Sequence, residues 1–171
     1  QFAWDMFGTV APGHARVQAI CDYVHGHIRF DYMQARANRT ALQGWQEGVG
    51  VCRDFAHLMI AVCRALNIPA RFTTGIDFGA DPILGPPDFH AYVEAYLGNR
   101  WYMFDPSGTA IPMGFIRIGT GRDAADVSFA TIFGSVGSQA PQIKIAALTQ
   151  PNTGWLQPVH RTEALSTDGL A

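Results

Sequence analysis

Lysine is nearly absent from this chain. Of its twelve basic residues only Lys144 is a lysine; the others are arginines. Charge is sparse overall, at 15% of 171 residues, and the formal net charge is -2. No broad field therefore draws the chain toward nucleic acid or an anionic membrane. No apolar run approaches the roughly 20 residues that a membrane-crossing helix needs, and no signal-peptide pattern is visible. Cysteine is scarce too, with only Cys21, Cys52 and Cys63. An odd count without framework spacing excludes a disulfide scaffold. A reducing, cytoplasmic setting is the expectation. There is no internal repeat and no low-complexity tract.

What is present is a hydrophobic content of 48%, enough to build one domain with a substantial core. We expect that domain over 1–150, with a C-terminal extension over 151–171 whose last ten or so residues are mobile. Apolar residues at Val17, Ile20, Cys21, Val24 and Ile28 carry a helical period over 14–29. Residues 30–50 read as a long connection, with Gly44, Gly48 and Gly50 near its end. Residues 51–66 read as the clearest helix. At about 100° per residue, Phe55, Ala56, Met59, Val62, Cys63 and Leu66 fall in one stripe with Cys52. Asn67-Ile68-Pro69 ends it. A strand over 70–78 and a β-hairpin over 89–105 follow. Strands are also expected over Gly114–Gly121, 127–133 and 142–149.

Cys52 lies at the first turn of the central helix. Unpaired backbone N–H groups and the positive end of the helix dipole favour thiolate there, and thiolate is the nucleophile that acyl transfer uses. Such chemistry also needs a histidine to move the proton and a third group to orient it. The hairpin supplies both. Leu97-Gly98-Asn99-Arg100 offers a two-residue Gly-Asn turn. It sets a register in which Leu97 faces Arg100, Tyr92 faces Asp105 and His90 faces Ser107. His90, Tyr92, Glu94, Trp101, Met103 and Asp105 then share one face. His90 and Asp105 become diagonal neighbours, roughly 7–8 Å apart along the backbone.

Four segments carry a resemblance: Gly48–His57 (GVGVCRDFAH), Ala65–Arg71 (ALNIPAR), Asp88–Glu94 (DFHAYVE) and Arg100–Pro106 (RWYMFDP). They resemble, in order, those of the bacterial transglutaminase-like superfamily, and the likeness runs from about residue 14 to 135. Gly121–Val127 (GRDAADV) is similar to a stretch common in one bacterial branch. The resemblance implies an α+β fold with a papain-like core, the Cys-bearing helix packed on an antiparallel sheet. It maps the nucleophile onto Cys52, the general acid and base onto His90 and the orienting carboxylate onto Asp105. It also implies a second oxyanion donor upstream of Cys52, for which Tyr32, Trp45 and Gln46 are candidates. Members of the branch usually carry a β-rich region before this core, so the chain is expected to be a piece of something longer. The implied partner is a peptide or protein amide, and the implied reaction is hydrolysis through an acyl-enzyme. Amine transfer to a protein glutamine, or a non-catalytic scaffold with the same fold, are the alternatives.

Other residues invite less. Cys21 and Cys63 read as core fillers. His57 projects about 140° from Cys52, which disfavours a zinc site built from Cys52, His57 and His90, since helical ligand pairs sit at i and i+4. Asp77, Asp81 and Asp88 match no calcium-loop spacing. No metal and no cofactor is expected.

Overall fold

The computed structural model describes residues 1–78, 88–109, 114–137, 139, 141–146, 148, 152, 158–159 and 163–168. The helix expected around Cys52 is α4, Cys52–Ala65. Its apolar stripe is buried as the period requires: Phe55, Ala56, Met59 and Cys63 are at most 1% exposed, and Cys52 packs against the same cluster. Three helices surround it. They are α1 (Phe2–Phe7), α2 (His14–His27) and α3 (Ala41–Glu47). Helix α2 turns Val17, Ile20, Cys21 and Val24 inward.

The other layer is a five-stranded antiparallel sheet of β3 (Ala70–Asp77), β4 (Phe89–Leu97), β5 (Arg100–Phe104), β6 (Phe115–Gly121) and β7 (Leu165–Ser166), in the order β6-β3-β4-β5-β7. Two short strands, β1 (Arg29–Phe30) and β2 (Val49–Gly50), pair in parallel beside α4. The fold is thus α+β, with the cysteine-bearing helix against an antiparallel sheet. Ala91, Val93 and Ala95 of β4 enter the core with α4, while Tyr92 packs with Met103 on the other side.

The hairpin register is as expected. Leu97 pairs with Arg100, Glu94 with Met103 and Val93 with Phe104. Gly98 and Asn99 have φ of 54° and 68°, the positive values that a type I′ turn requires at both central positions.

Three expectations need correction. The long connection over 30–50 contains helix α3, with a Thr40/Gln43 capping box at its start. The capping signal lay in the sequence, but the glycines masked it. Residues 127–133 form no strand: Val127 ends a 3₁₀ turn, Ala124–Val127. Residues 142–146 and 148 are not in a strand either, while 147 and 149 fall outside the described residues. Within the C-terminal extension, β7 pairs Ser166 with Tyr102 and Leu165 with Met103.

Candidate active site

The start of α4 is held by a buried ion pair. Asp54, in the first turn, reaches back to accept the Val51 backbone N–H at 2.9 Å. The same carboxylate accepts from Arg39 at 2.7 Å, with the two side chains 0% and 1% exposed. Arg39 in turn donates to Glu47 at 3.1 Å, and Glu47 also takes Arg36. The loop before α4 is thereby pinned onto its first turn. Gly50 is required here, because a Cβ would lie 2.6 Å from Asp54 Oδ2 and 2.7 Å from Asp54 Cβ.

Cys52 emerges from this clamp, and His90 meets it. His90 is the second residue of β4. By alternation it belongs with Tyr92, on the side of the sheet away from α4. It reaches the thiol because α4 and β4 both begin at the same end of the molecule, where Cys52 and His90 line one groove. His90 Nε2 lies 3.2 Å from Asp105 Oδ1. That leaves Nδ1 as the ring nitrogen available to Cys52, which lines the same groove. Burial alone would push the imidazole down. The charges of Cys52 and Asp105, and hydrogen bonds to both, hold it well above its ordinary value. The arrangement favours the protonated ring beside the Asp105 carboxylate.

Two groups behind this trio were not anticipated. Ser107 donates its hydroxyl to Asp105 Oδ1 at 2.6 Å and its backbone N–H to the same oxygen at 3.1 Å. It also lies 3.4 Å from His90 Nε2. The serine opposite His90 in the predicted register was the available signal. The second group is Tyr92, whose ring meets His90 at 4.6 Å and whose hydroxyl donates to buried Asp77 at 2.9 Å. Burial and the Asp77 charge raise the Tyr92 phenol far above its usual value, so it stays a neutral donor.

The groove beside Cys52 has a volume of about 880 Å³. None of the three upstream candidates is among the groove's described lining residues, but Tyr32 feels the Cys52 charge. It is half exposed in a 3₁₀ turn, Tyr32–Gln34, and its hydroxyl is raised by burial and then by the Cys52 charge. Trp45 is committed elsewhere, its indole N–H donating to Tyr23 Oη at 2.9 Å. Gln46 is exposed in the last turn of α3 and does not line the groove. His57 does line it. Its Nε2 accepts the Ala124 N–H at 3.2 Å, which ties the 3₁₀ turn to α4. Burial and then the Arg53 charge lower the His57 imidazole.

Cys21 and Cys63 are buried free thiols. Burial raises both, Cys63 to about 12, so neither competes as a nucleophile. Among the described residues, no three His, Cys, Asp or Glu side chains are grouped to hold a metal ion.

Comparison with known proteins places the chain in a family. The sequence model of the Transglutaminase-like superfamily matches residues 1–106. The Gly121–Val127 stretch lies beyond that match. A solved structure from Cytophaga hutchinsonii, named a "Putative Cysteine Protease", superposes with a TM-score of 0.84 at 37% identity. The match covers 96% of this chain and 55% of that one. An uncharacterized protein of Mycobacterium leprae is 37% identical over 107 residues, covering 58% of this chain and 38% of the relative. One of Mycobacterium tuberculosis (H37Rv) is 33% identical over 89 residues, covering 46% of this chain and 28% of the relative. The chain thus corresponds to well under half the length of these two relatives.

Proposed function

Because the chain belongs to the transglutaminase-like superfamily, we propose that it cleaves an amide through Cys52, His90 and Asp105. The observation that carries this reading is the His90 ring, 3.2 Å from Asp105 and lining one groove with Cys52, with the charges of both raising it above its ordinary value. The name of the Cytophaga neighbour agrees with hydrolysis.

The sulfur of thiolate Cys52 attacks the amide carbon, and the carbonyl electron pair moves onto oxygen. The Cys52 backbone N–H, in the first turn of α4 and without an intrahelical acceptor, faces that developing charge. Tyr32 Oη is the second donor. As the oxyanion collapses, the C–N bond breaks and imidazolium His90 gives its proton to the departing amine. A thioester and neutral His90 remain. His90 then takes a proton from water, the oxygen attacks the thioester, and the C–S bond breaks. A carboxylic acid leaves and the Cys52–His90 ion pair is restored. Asp105 holds the ring and stabilises its charge without taking the proton itself.

The test is turnover of a panel of fluorogenic peptide amides by the protein and its Cys52→Ala variant, with iodoacetamide labelling mapped by mass spectrometry. Cys52 should label first, with Cys21 and Cys63 protected by burial. Hydrolysis should vanish in Cys52→Ala. Incorporation of an added primary amine in place of water would establish transfer instead. Equal labelling of the three thiols in the folded protein, or full activity in Cys52→Ala, would end the proposal.

A further inference from the structure

The groove beside Cys52 is lined by four arginines, Arg39, Arg53, Arg64 and Arg122, and among its described lining residues the only carboxylate is Asp123. Three of the four arginines are spent. Arg39 is shared between Asp54 and Glu47. Arg122 forks onto Asp126 at 2.8 and 2.9 Å. Arg64 gives its guanidinium to the carbonyls of Ala70 and Arg122. Asp123 is occupied as well, its Oδ1 accepting the Ala125 N–H at 2.8 Å.

Arg53 is different. It directly follows Cys52 on α4 and is 22% exposed. One nitrogen, Nη2, donates to the Arg36 carbonyl, which fixes the plane of the guanidinium. The nearest carboxylate oxygen, Asp54 Oδ1, lies 3.8 Å away, beyond hydrogen-bond range. Arg53 Nε is buried and has no acceptor. Arg39 Nη2 is likewise buried without an acceptor; what sets Arg53 apart is its partly exposed side chain, with Nη1 left to the groove. His57, one turn further along the helix, is lowered in part by the Arg53 charge. Among the described residues the distant Asp54 oxygen is the one carboxylate partner of Arg53, which is thus a partly compensated cation beside the nucleophile.

We propose that Arg53 reads a carboxylate on the substrate, so that the groove takes peptides with an acidic side chain close to the reacting amide. This rests on the amide chemistry proposed above for Cys52. A guanidinium whose Nη2 is tethered to the Arg36 carbonyl and whose Nη1 is left to the groove is preorganised for a carboxylate, and charge-assisted bonds of this kind are the strong ones.

Binding separates this proposal from the chemistry. The full chain with Cys52→Ala is titrated with fluorescent hexapeptides in which Glu, Gln or Lys is walked through every position. Glu at one position should bind about tenfold more tightly than Gln, the scale of a single charge-assisted bond at a partly open site. Lys there should bind more weakly than Gln. The preference should disappear in Cys52→Ala/Arg53→Gln and shrink in 0.5 M salt. Arg53→Lys, which keeps the charge but loses the planar fork, should retain only part of it; this variant decides the matter if Arg53→Gln does not fold. Equal binding of Glu and Gln at all positions would overturn the assignment. So would an acidic preference that survives both substitutions. Acidic binding without turnover in the unmodified protein would sink the cleavage mechanism and leave the subsite standing.

Discussion

Ser107 illustrates how finely the His90 ring is set. Its hydroxyl and backbone N–H both fall on the Asp105 oxygen that faces His90, and Thr109 steadies the hydroxyl from behind at 3.0 Å. Ser107→Ala keeps the backbone bond and removes the other. Turnover should fall about tenfold with little change in KM, the pattern of a group that serves the transition state rather than ground-state binding. His90 itself gives a direct reading. Its imidazole is raised by Cys52 and Asp105 against the pull of burial. Its NMR titration midpoint should therefore lie well above the ordinary histidine value near 6.5, and should drop in both Cys52→Ala and Asp105→Asn. The linked stability has a definite sign. A histidine raised on folding contributes fully below its unfolded pKa and loses that contribution as pH climbs through the folded value. Melting temperature should accordingly decline on the alkaline side, and less so in Asp105→Asn. An unshifted His90 midpoint in the native protein would remove the ion pair from the mechanism.

At the scale of elements, helix α4 bears most of the weight. Phe55 is 1% exposed in the core, and Phe55→Ala should cost about 3–5 kcal/mol in chemical denaturation. Gly50→Ala tests the clamp at the helix start. The added methyl must displace Asp54 from Arg39, and breaking a buried pair costs about 3 kcal/mol or more. Wild-type stability in Gly50→Ala would mean that the clamp yields freely. These elements differ in how openly the sequence announces them. The α4 stripe and the Gly98-Asn99 turn are local signals, a 3.6-residue period and a positive-φ dipeptide, and from them the helix and the hairpin register follow. Helix α3 is only seven residues long and carries two of its contacts through Trp45, so glycine content outweighed a capping box. Strand β7 is two residues long and exists because the edge of β5 is there to receive it. Apolar content alone does not make a strand of 127–133, where Phe129 and Phe133 stay exposed. Within the site, Cys52, His90 and Asp105 were legible because each sits at a landmark. Arg39 and Asp54 were not, since nothing local says that two charges fifteen positions apart will meet in a dry interior.

At the scale of the whole molecule, the layers meet in a way that bears on time as well as space. None of the helices described is long and apolar enough to cross a membrane. Cys52 stands at the head of a helix, while His90 and Asp105 come from a hairpin that follows it in the chain and shares its end of the fold. A helix that has formed without the hairpin has no histidine beside its cysteine. The proposed Cys52–His90 pair can form only when the two layers dock, a step that must first close the intervening loop. During refolding from denaturant, rapid alkylation of Cys52 should appear together with the near-ultraviolet signal of packed aromatics, and after the far-ultraviolet signal of the helix. Selective labelling at the earlier stage would show that α4 alone activates the sulfur. A chain still emerging from synthesis, with its hairpin unmade, would then hold a harmless cysteine, and its chemistry would switch on only as the finished protein closes.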